Sequence, residues 1–169
     1  MLIKSVRGFT PQYGKNCFFA ENATLIGELI MGNDCSVWYQ AVVRGDVNSI
    51  TIRNRVNIQD GAVIHGTYEQ SATKIGDDVS IGHNAIVHGC TIKERVLIGM
   101  GSIIMDNCVV GSNSIIAAGS VLPKNTIVPE GTVFAGIPAK KIKDISPELE
   151  QGEIERIAAN YIKYASWFK

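Results

Sequence analysis

Residues 92–122 read IKERVLIGMGSIIMDNCVVGSNSIIAAGSVL and repeat one pattern every six positions. A large aliphatic side chain opens each hexad, and a short side chain follows four positions later. The large residues are Ile92, Ile98, Ile104, Val110, Ile116 and Leu122, and the short ones are Val96, Ser102, Cys108, Ser114 and Ser120. A helix would show an apolar face at steps of three and four instead. The strict period of six predicts a solenoid.

The hexads extend in both directions from this stretch. Large residues continue at Val128 and Phe134, and they precede it at Phe19, Leu25, Met31, Val37, Val43, Ile52, Ile58, Ile64, Ile75, Ile81 and Val87. Three hexads close one turn of a triangular coil, in which successive turns stack as parallel strands about 4.8 Å apart. The predicted fold class is therefore mainly β, a parallel β-helix over residues 8–142 or so, with extra residues at 49–51 and 66–74 as loops.

A different pattern begins after Pro138. Ser146 and Pro147 are typical of a helix N-cap followed by proline in the first turn. One apolar stripe then follows at helical spacing, formed by Ile154, Ile157, Ala158, Tyr161 and Ala165. A lone helix of this length is marginally stable, so we expect a C-terminal helix over about 146–169 that packs on the outside of the coil. Residues 1–169 are predicted to form a single domain.

Bulk composition excludes some classes of partner. The 169 residues contain 16 basic and 16 acidic side chains, so net charge favours no nucleic acid. No apolar run is long enough to cross a membrane, and the residues from Met1 to Lys4 do not begin a signal peptide. The four cysteines are scattered without a CxxC pair, which indicates a reducing compartment. We expect a cytoplasmic protein without a membrane partner.

All three histidines fall within residues 65–88. Counting hexads places His65 directly after Ile64 and His88 directly after Val87, so both point outward on one face in successive turns. That spacing lets two imidazoles share one ion, since zinc–nitrogen bonds are about 2.1 Å long. His83 belongs to the preceding face. Five extended residues span roughly 16 Å, which is too far for His83 to join the same ion without a sharp corner.

A second copy of the chain would solve this geometry. If His83 of one copy faces His65 and His88 of the next, rotational symmetry repeats the site at every interface, and a triangular prism closes as a homotrimer. The same docking would bring Asp60, in the column of His83, toward Arg44 of the neighbour. We therefore predict an intersubunit ion pair between Arg44 and Asp60.

Several stretches together resemble the gamma-class carbonic anhydrase family in its short bacterial form. They are VVRGDVNSITI (42–52), NIQDGAVIH (57–65), IGHNAIVHGCTI (81–92), RVLIGMGSII (95–104) and AGSVL (118–122). The resemblance implies a left-handed coil, as in other hexapeptide-repeat proteins. It also implies a homotrimer with one divalent metal per subunit, zinc above all, with iron or cobalt as alternatives.

The resemblance also assigns roles to residues. His65 and His88 of one subunit and His83 of the next would be the metal ligands. Gln59 and Asn57 would orient the water and the substrate, and Tyr161 would approach the site from the helix. The activity implied is that of a lyase, in which a metal-bound hydroxide hydrates carbon dioxide to bicarbonate.

The sequence departs from the family pattern at the proton-transfer positions. The archaeal members have a glutamate directly after the R-x-D motif, where this chain has Val47. Their acidic loop after the first histidine corresponds to GTYEQSATK (66–74), in which only Glu69 is a possible proton relay. We therefore expect weak hydration activity in the absence of buffer.

Three other functions fit the coil. Hexapeptide-repeat acyltransferases share the G-x-P-A-K ending seen at residues 136–140 and use one histidine as a base toward an acyl-CoA. Some relatives instead hydrolyse CoA thioesters. The third alternative is a metal-binding trimer without catalytic activity. In each enzymatic reading the substrate is a small molecule.

Overall fold

The computed structural model describes residues 1–168 and shows a parallel β-solenoid of about seven turns, followed by a helical segment. Its strands are β1 Leu2–Lys4, β2 Gln12–Tyr13, β3 Phe18–Phe19, β4 Thr24–Met31, β5 Ser36–Val37, β6 Val42–Ile52, β7 Asn57–Ile58, β8 Val63–His65, β9 Thr73–Ile75, β10 Ser80–Ile81, β11 Ile86–His88, β12 Thr91–Ile92, β13 Leu97–Ile98, β14 Ile103–Ile104, β15 Val109–Val110, β16 Ile115–Ile116, β17 Val121–Leu122, β18 Ile127–Val128, β19 Thr132–Gly136 and β20 Ala139–Asp144. The predicted fold class is confirmed.

The strands stack into three faces, as the hexad count predicts. The first face contains β8, β11, β14 and β17, the second contains β3, β5, β7, β10, β13, β16 and β19, and the third contains β9, β12, β15 and β18. The long strands β4 and β6 run across the corner between the first and third faces, and their pairing shifts register between Gly27 and Leu29. Among the strands of residues 1–168, β20 alone is antiparallel, because it folds back on β19.

The core is a column of aliphatic side chains from all three faces. The side chains of Val43, Ile64, Val87 and Ile104 are fully buried on the first face, and the matching residues of the other two faces are buried beside them. Each such side chain contributes roughly 1.5–3 kcal/mol by burial. Phe19 alone among the predicted large residues is half-exposed, because it lies in the first complete turn at the open end of the coil.

The structure differs from the sequence prediction at the edges of the coil. Residues 49–51 are not a loop, since β6 continues through them. As a result Val47 lies half-buried within a strand. The parallel ladder already begins at Leu2, which pairs with Thr24, so it starts before the predicted residue 8. The loop before β9 forms as predicted, over residues 66–72.

The C-terminal segment is helical but not uniform. It comprises α1 (Pro147–Leu149), a π-helical stretch (Glu150–Glu155) and α2 (Arg156–Ser166), whereas the sequence predicted one regular helix. The Ser146 hydroxyl caps α1 by accepting from the Leu149 amide, as expected for an N-cap. Within residues 1–168, no helix combines the length and hydropathy needed to span a membrane.

This helical segment lies on the second face of the coil. Ile154 is buried against Ile115 and Val133, and Tyr161 makes an edge-on contact with Trp38 at 5.3 Å between ring centroids. At one side, Arg95 bonds to the carboxylates of Glu150 at 2.6 Å and Glu155 at 2.9 Å. The position predicted for the helix, on the outside of the coil, is confirmed.

Candidate metal centre

His65 and His88 lie side by side at the ends of β8 and β11. These strands are in parallel register, with His88 opposite His65. The ring centroids are 5.2 Å apart, and Nδ1 of His65 is 3.2 Å from Nε2 of His88. The stacked pair predicted from the hexad count therefore forms within one chain.

An aspartate holds the second nitrogen of each ring. Nε2 of His65 is 2.9 Å from a carboxylate oxygen of Asp46, and Nδ1 of His88 is 3.1 Å from a carboxylate oxygen of Asp106. A carboxylate on the far nitrogen fixes the orientation and proton position of a metal-binding imidazole. Burial lowers the pKa of His65 despite the opposing effect of Asp46, so this ring stays neutral, as a metal ligand must.

Asp106 is itself held by a network of hydroxyl groups. One of its oxygens accepts from Ser71 at 2.5 Å and from Thr67 at 2.6 Å, both in the loop before β9. Burial alone would raise the pKa of Asp106, but these hydroxyl groups together with His88 outweigh it and hold that pKa well below its usual range. The 66–72 loop is thereby tied to the orientation of His88.

Gly89 makes this network possible. It has a φ of +54°, and a Cβ atom there would overlap Ser71 and Asp106. The hexad at this corner is one residue short, since Val87 and Ile92 are five positions apart rather than six. The shortened corner brings the backbone next to the Asp106 carboxylate.

His83 lies elsewhere, after β10 on the second face. Its Nδ1 is 2.9 Å from a carboxylate oxygen of Asp60, and its Nε2 is 3.5 Å from the Tyr161 hydroxyl. Burial, with the charge of Asp60 second, raises the pKa of Tyr161 to about 12. Tyr161 is therefore a neutral hydrogen-bond donor at physiological pH. The C-terminal helical segment thus places Tyr161 beside His83.

Arg44 and Asp60 do not pair with each other within one chain. Arg44 instead forms an ion pair with Asp46, which also contacts His65, while Asp60 contacts His83. Arg44, Asp46 and His65 thus form one polar group on the first face, and Asp60, His83 and Tyr161 form another at the second face.

Asn57 and Gln59 lie on the second face, beside the His83 group. The amide of Gln59 donates to the Asn57 carbonyl oxygen at 3.0 Å, and the Asn57 amide donates to the Ser80 hydroxyl at 2.7 Å. All three side chains are buried, so the chain of hydrogen bonds fixes the Gln59 amide.

The histidine pair passes a geometric test for a metal. In a tetrahedral zinc site with bonds of about 2.1 Å, two ligand nitrogens lie about 3.4 Å apart, close to the 3.2 Å seen between His65 and His88. Within residues 1–168 of one copy, no group of three His, Cys, Asp or Glu side chains is arranged to hold a metal, so this chain offers the pair alone.

Known proteins share this arrangement of sequence and fold. A family model described as bacterial transferase hexapeptide (six repeats) matches residues 72–102 and 89–124. A carbonic anhydrase of Geobacillus kaustophilus is 41% identical over 168 residues, covering 99% of this chain and 91% of that protein. Gamma carbonic anhydrase 2, mitochondrial, of Arabidopsis thaliana is 38% identical over 161 residues, covering 92% of this chain and 58% of the plant protein. The chain belongs to the gamma-class carbonic anhydrase family.

The fold of this family member also matches a solved structure. A hexapeptide transferase family protein from Anaplasma phagocytophilum superposes with a TM-score of 0.94 at 38% identity, covering 99% of this chain and 98% of that one. Its description refers to a transferase rather than an anhydrase. Relatives of this chain therefore carry both descriptions.

The two residues considered for proton transfer lie near each other. Val47 and Glu69 both line a cavity of about 180 Å³ together with Glu28 and Asp46. Glu69 is exposed at the tip of the 66–72 loop. Because Asp46 contacts His65, this cavity adjoins the candidate metal centre.

Sequence reasoning missed the carboxylates that orient the first-face histidines. Asp46 was visible in the R-G-D motif but received no role, and Asp106 lies in the next turn of the coil beyond His88. The signal that could have revealed Asp106 is the short hexad at Gly89, which draws the corner inward. Thr67 and Ser71 carried no such signal, because their positions depend on how the loop folds.

Proposed function

We propose that this protein is a metal-dependent carbonic anhydrase that hydrates carbon dioxide to bicarbonate at the interfaces of a homotrimer. The observation that carries the proposal is the 3.2 Å approach of one nitrogen of His65 to one of His88, with the remaining nitrogens held by Asp46 and Asp106. Two nitrogens so oriented form half of a tetrahedral site. We infer one divalent ion per subunit, zinc first and iron or cobalt next.

The third ligand comes from a neighbouring copy in this proposal. His83 is oriented like the other two, with a carboxylate on one nitrogen and the other directed away from it. The first face beside the histidine pair also carries an outward aliphatic stripe on successive turns, formed by Val42, Val63, Ile86, Ile103 and Val121. Ile86 is 37% exposed. An apolar stripe that adjoins an incomplete site fits an interface with another copy.

The ion pairs seen in one chain can extend across that interface. Arg44 is 40% exposed at its side chain and Asp60 is 42% exposed, so each retains room for a second partner. Docking His83 beside the histidine pair would bring Asp60 of one copy toward Arg44 of the next. The pair would then link the two polar groups.

When bound, a divalent ion supplies Lewis-acid chemistry that makes a water molecule acidic enough to act as a nucleophile. The residues around the ion would position and polarise the water molecule and the substrate. Gln59 has a fixed amide that can accept from or donate to the water without titrating, since Asn57 and Ser80 hold it. Tyr161 donates a hydrogen bond and does not act as a base, because its pKa is about 12. Glu69 is the proposed proton relay, and without a carboxylate at Val47 we expect it to export protons slowly.

Further inferences concern the substrate, the partners and the location of the protein. The substrate is a small molecule, and neither nucleic acid nor membrane is a partner. The cysteines Cys35, Cys90 and Cys108 are buried free thiols, which suits the cytoplasm that we infer as the location.

Subunit complementation tests where the site is. His83→Ala and His88→Ala each remove one ligand, so each homotrimer should lack bound metal and hydration activity. Mixed trimers would combine an intact His65/His88 pair from one chain with an intact His83 from the next. Each mixed trimer then regains one site in three, so random mixing at equal amounts should restore about a quarter of wild-type metal and activity.

The measurements are metal content per chain, light scattering and stopped-flow hydration of carbon dioxide. Complementation that restores nothing, with trimers mixed, would place the site within one chain. A metal-loaded trimer that never hydrates carbon dioxide would favour the second candidate, acyl transfer or thioester hydrolysis, for which the transferase description of the Anaplasma relative is the supporting observation. A panel of acyl-CoA substrates then separates those reactions from a metal-binding trimer without activity.

A further inference from the structure

A cavity of about 360 Å³ lies between the second face of the coil and the C-terminal helical segment. Carbon dioxide has three atoms, whereas cavities of roughly 300–1,000 Å³ are typical of sites for organic ligands. Gln59, His83 and Tyr161 line one end of it. The cavity therefore contains His83, the ligand that each copy is proposed to supply to its neighbour, and it is larger than the proposed substrate requires.

The cavity has polar groups at its ends and an apolar middle. Its floor is formed by Leu97 and Ile115, which lie in β13 and β16, and by Gly99 and Ala117, which directly follow these strands. Ile157 forms the roof from α2. Because glycine and alanine stand directly after these two strands, the floor leaves an elongated space along the coil.

The polar end can recognise a carboxylate or a carbonyl oxygen. Tyr161 brings a hydroxyl group to the cavity lining, and the Gln59 amide has a second N–H beyond the one bonded to Asn57. At the opposite end Arg156 and Glu153 lie 3.4 Å apart and neutralise each other, so the outer end carries no net charge. The arrangement therefore favours a ligand with one polar head group and an uncharged chain.

The roof contains the only π-helical stretch within residues 1–168, at Glu150–Glu155. π-Helical turns are rare in proteins and frequently lie at functional sites. Here the π-helical stretch leads directly into α2, which carries Ile157, and its own Glu153 also lines the cavity. Gly152 in this stretch meets no neighbouring atom within 4 Å, so packing does not require it.

We propose that this cavity binds an unbranched aliphatic carboxylic acid or its acyl derivative, with the polar head at Gln59 and Tyr161 and the chain over Ala117. The proposal rests on the proposed function in one respect, that the head lies at the edge of the same site. It names a ligand class that carbon dioxide hydration does not require.

Binding of acetate, butanoate and hexanoate to the intact protein tests this, by calorimetry or ligand-observed NMR. Each methylene that enters an apolar cavity strengthens binding up to roughly fourfold, so hexanoate should bind at least tenfold more tightly than acetate. Ala117→Leu fills the floor and should weaken hexanoate binding at least tenfold while leaving acetate within about twofold. Ala159→Leu makes the same change at an exposed position of α2 outside the cavity and should change neither.

Ile157→Trp fills the cavity from the roof. It is the alternative test of cavity filling if Ala117→Leu disturbs the trimer. Equal affinity for acetate and hexanoate, or hexanoate binding that ignores both fillings, overturns the proposal. The His88→Ala protein separates this result from the proposed function, because it lacks a ligand to the metal but keeps the cavity. Chain-length dependence that persists there supports the cavity even if hydration is never seen, while hydration without chain-length dependence refutes only this inference.

Discussion

The turns over residues 42–92 and those over residues 92–136 share the same aliphatic core but differ in length. In the later part, Ile92, Val110 and Val128 pair in register at intervals of 18 residues, and we call these the regular turns. In the earlier part, Val43, Ile64, Val87 and Ile104 pair at intervals of 21, 23 and 17 residues. We call these the interrupted turns. They hold all three histidines, and the regular turns hold none.

The difference separates the origins of stability and of chemistry. In both parts the inward residues are fully buried, so burial of the hexads stabilises both alike. Added residues in the interrupted turns form the 66–72 loop, and a missing residue pulls the Gly89 corner inward. These departures from 18 residues place Thr67, Ser71 and Asp106 around His88.

The largest effect should come from matched alanine substitutions in the two parts. Ile98→Ala removes a fully buried side chain of the regular turns and should lower the free energy of unfolding by about 2–5 kcal/mol. His88→Ala in the interrupted turns should change the stability of the metal-free protein by less than about 1 kcal/mol, since the ring is partly exposed. It should nevertheless remove most bound metal.

Urea unfolding of metal-free protein and metal analysis of the folded protein measure the two effects. Full metal occupancy in His88→Ala would show that this ring is not a ligand. A large loss of stability in that variant would show that the site and the core cannot be separated.

The next effect concerns the shortened corner. Gly89→Ala places a Cβ against Ser71 and Asp106, so the carboxylate must leave Nδ1 of His88. Loss of such an orienting partner typically weakens metal binding by about 10–100-fold. Gly101→Ala is the matched control in a regular position, because Gly101 also has a positive φ, +66°, but meets no atom within 4 Å.

Metal dissociation constants from chelator competition give the result, with circular dichroism to confirm folding. Equal weakening in both glycine variants would attribute the effect to backbone strain rather than to the Asp106 network.

Much of the fold was accessible from sequence because a large inward side chain recurs from Leu25 to Phe134, every six positions outside the interrupted corners. The stacking of His65 on His88 followed from the same count. The count could not predict that β6 continues through residues 49–51, since extra residues can be absorbed by a register shift as well as by a loop. The roles of Asp106 and Ser71 depend on contacts between residues 35 positions apart, which local patterns do not encode.

A smaller effect should appear in acid. The pKa of Asp106 is depressed in the folded chain, so the folded state binds fewer protons than the unfolded chain, whose aspartates have a pKa of about 3.9. The stabilising contribution of this carboxylate is present above about pH 4 and is lost as the pH falls through the folded-state value. Asp106→Asn should lack this contribution. The free energies of unfolding of the wild type and this variant should therefore differ by about 1–2 kcal/mol at pH 6 and converge in strong acid.

Urea unfolding of the metal-free proteins from pH 2 to pH 7 measures the difference. A constant gap between Asp106→Asn and wild type at every pH would mean that shape, rather than charge, accounts for the contribution of Asp106.

The smallest expected effect concerns proton export at Val47. If carbon dioxide is hydrated, the slow step should be carrying a proton to solvent, because no carboxylate stands at this position. Turnover should rise with the concentration of a small buffer, while kcat/KM, which reports the attack on carbon dioxide, should stay nearly constant. Val47→Glu adds a carboxylate to the cavity shared with Glu28 and Glu69. It should raise turnover at low buffer by a few-fold, on the order of twofold to tenfold.

The half-exposed position of Val47 makes this change tolerable, since a carboxylate there keeps contact with water. Val47→Gln is the control, because glutamine has the same shape as glutamate but cannot carry a proton. The buffer dependence of this variant should match that of the wild type. A wild-type turnover that ignores buffer would show that an existing group already exports the proton. Glu69 is the residue to replace next in that case, since it lines the same cavity and Tyr161, with its pKa of about 12, remains protonated. Glu69→Gln should then restore dependence on buffer, and a Glu69→Gln protein that still ignores it would exclude the loop as the route for the proton.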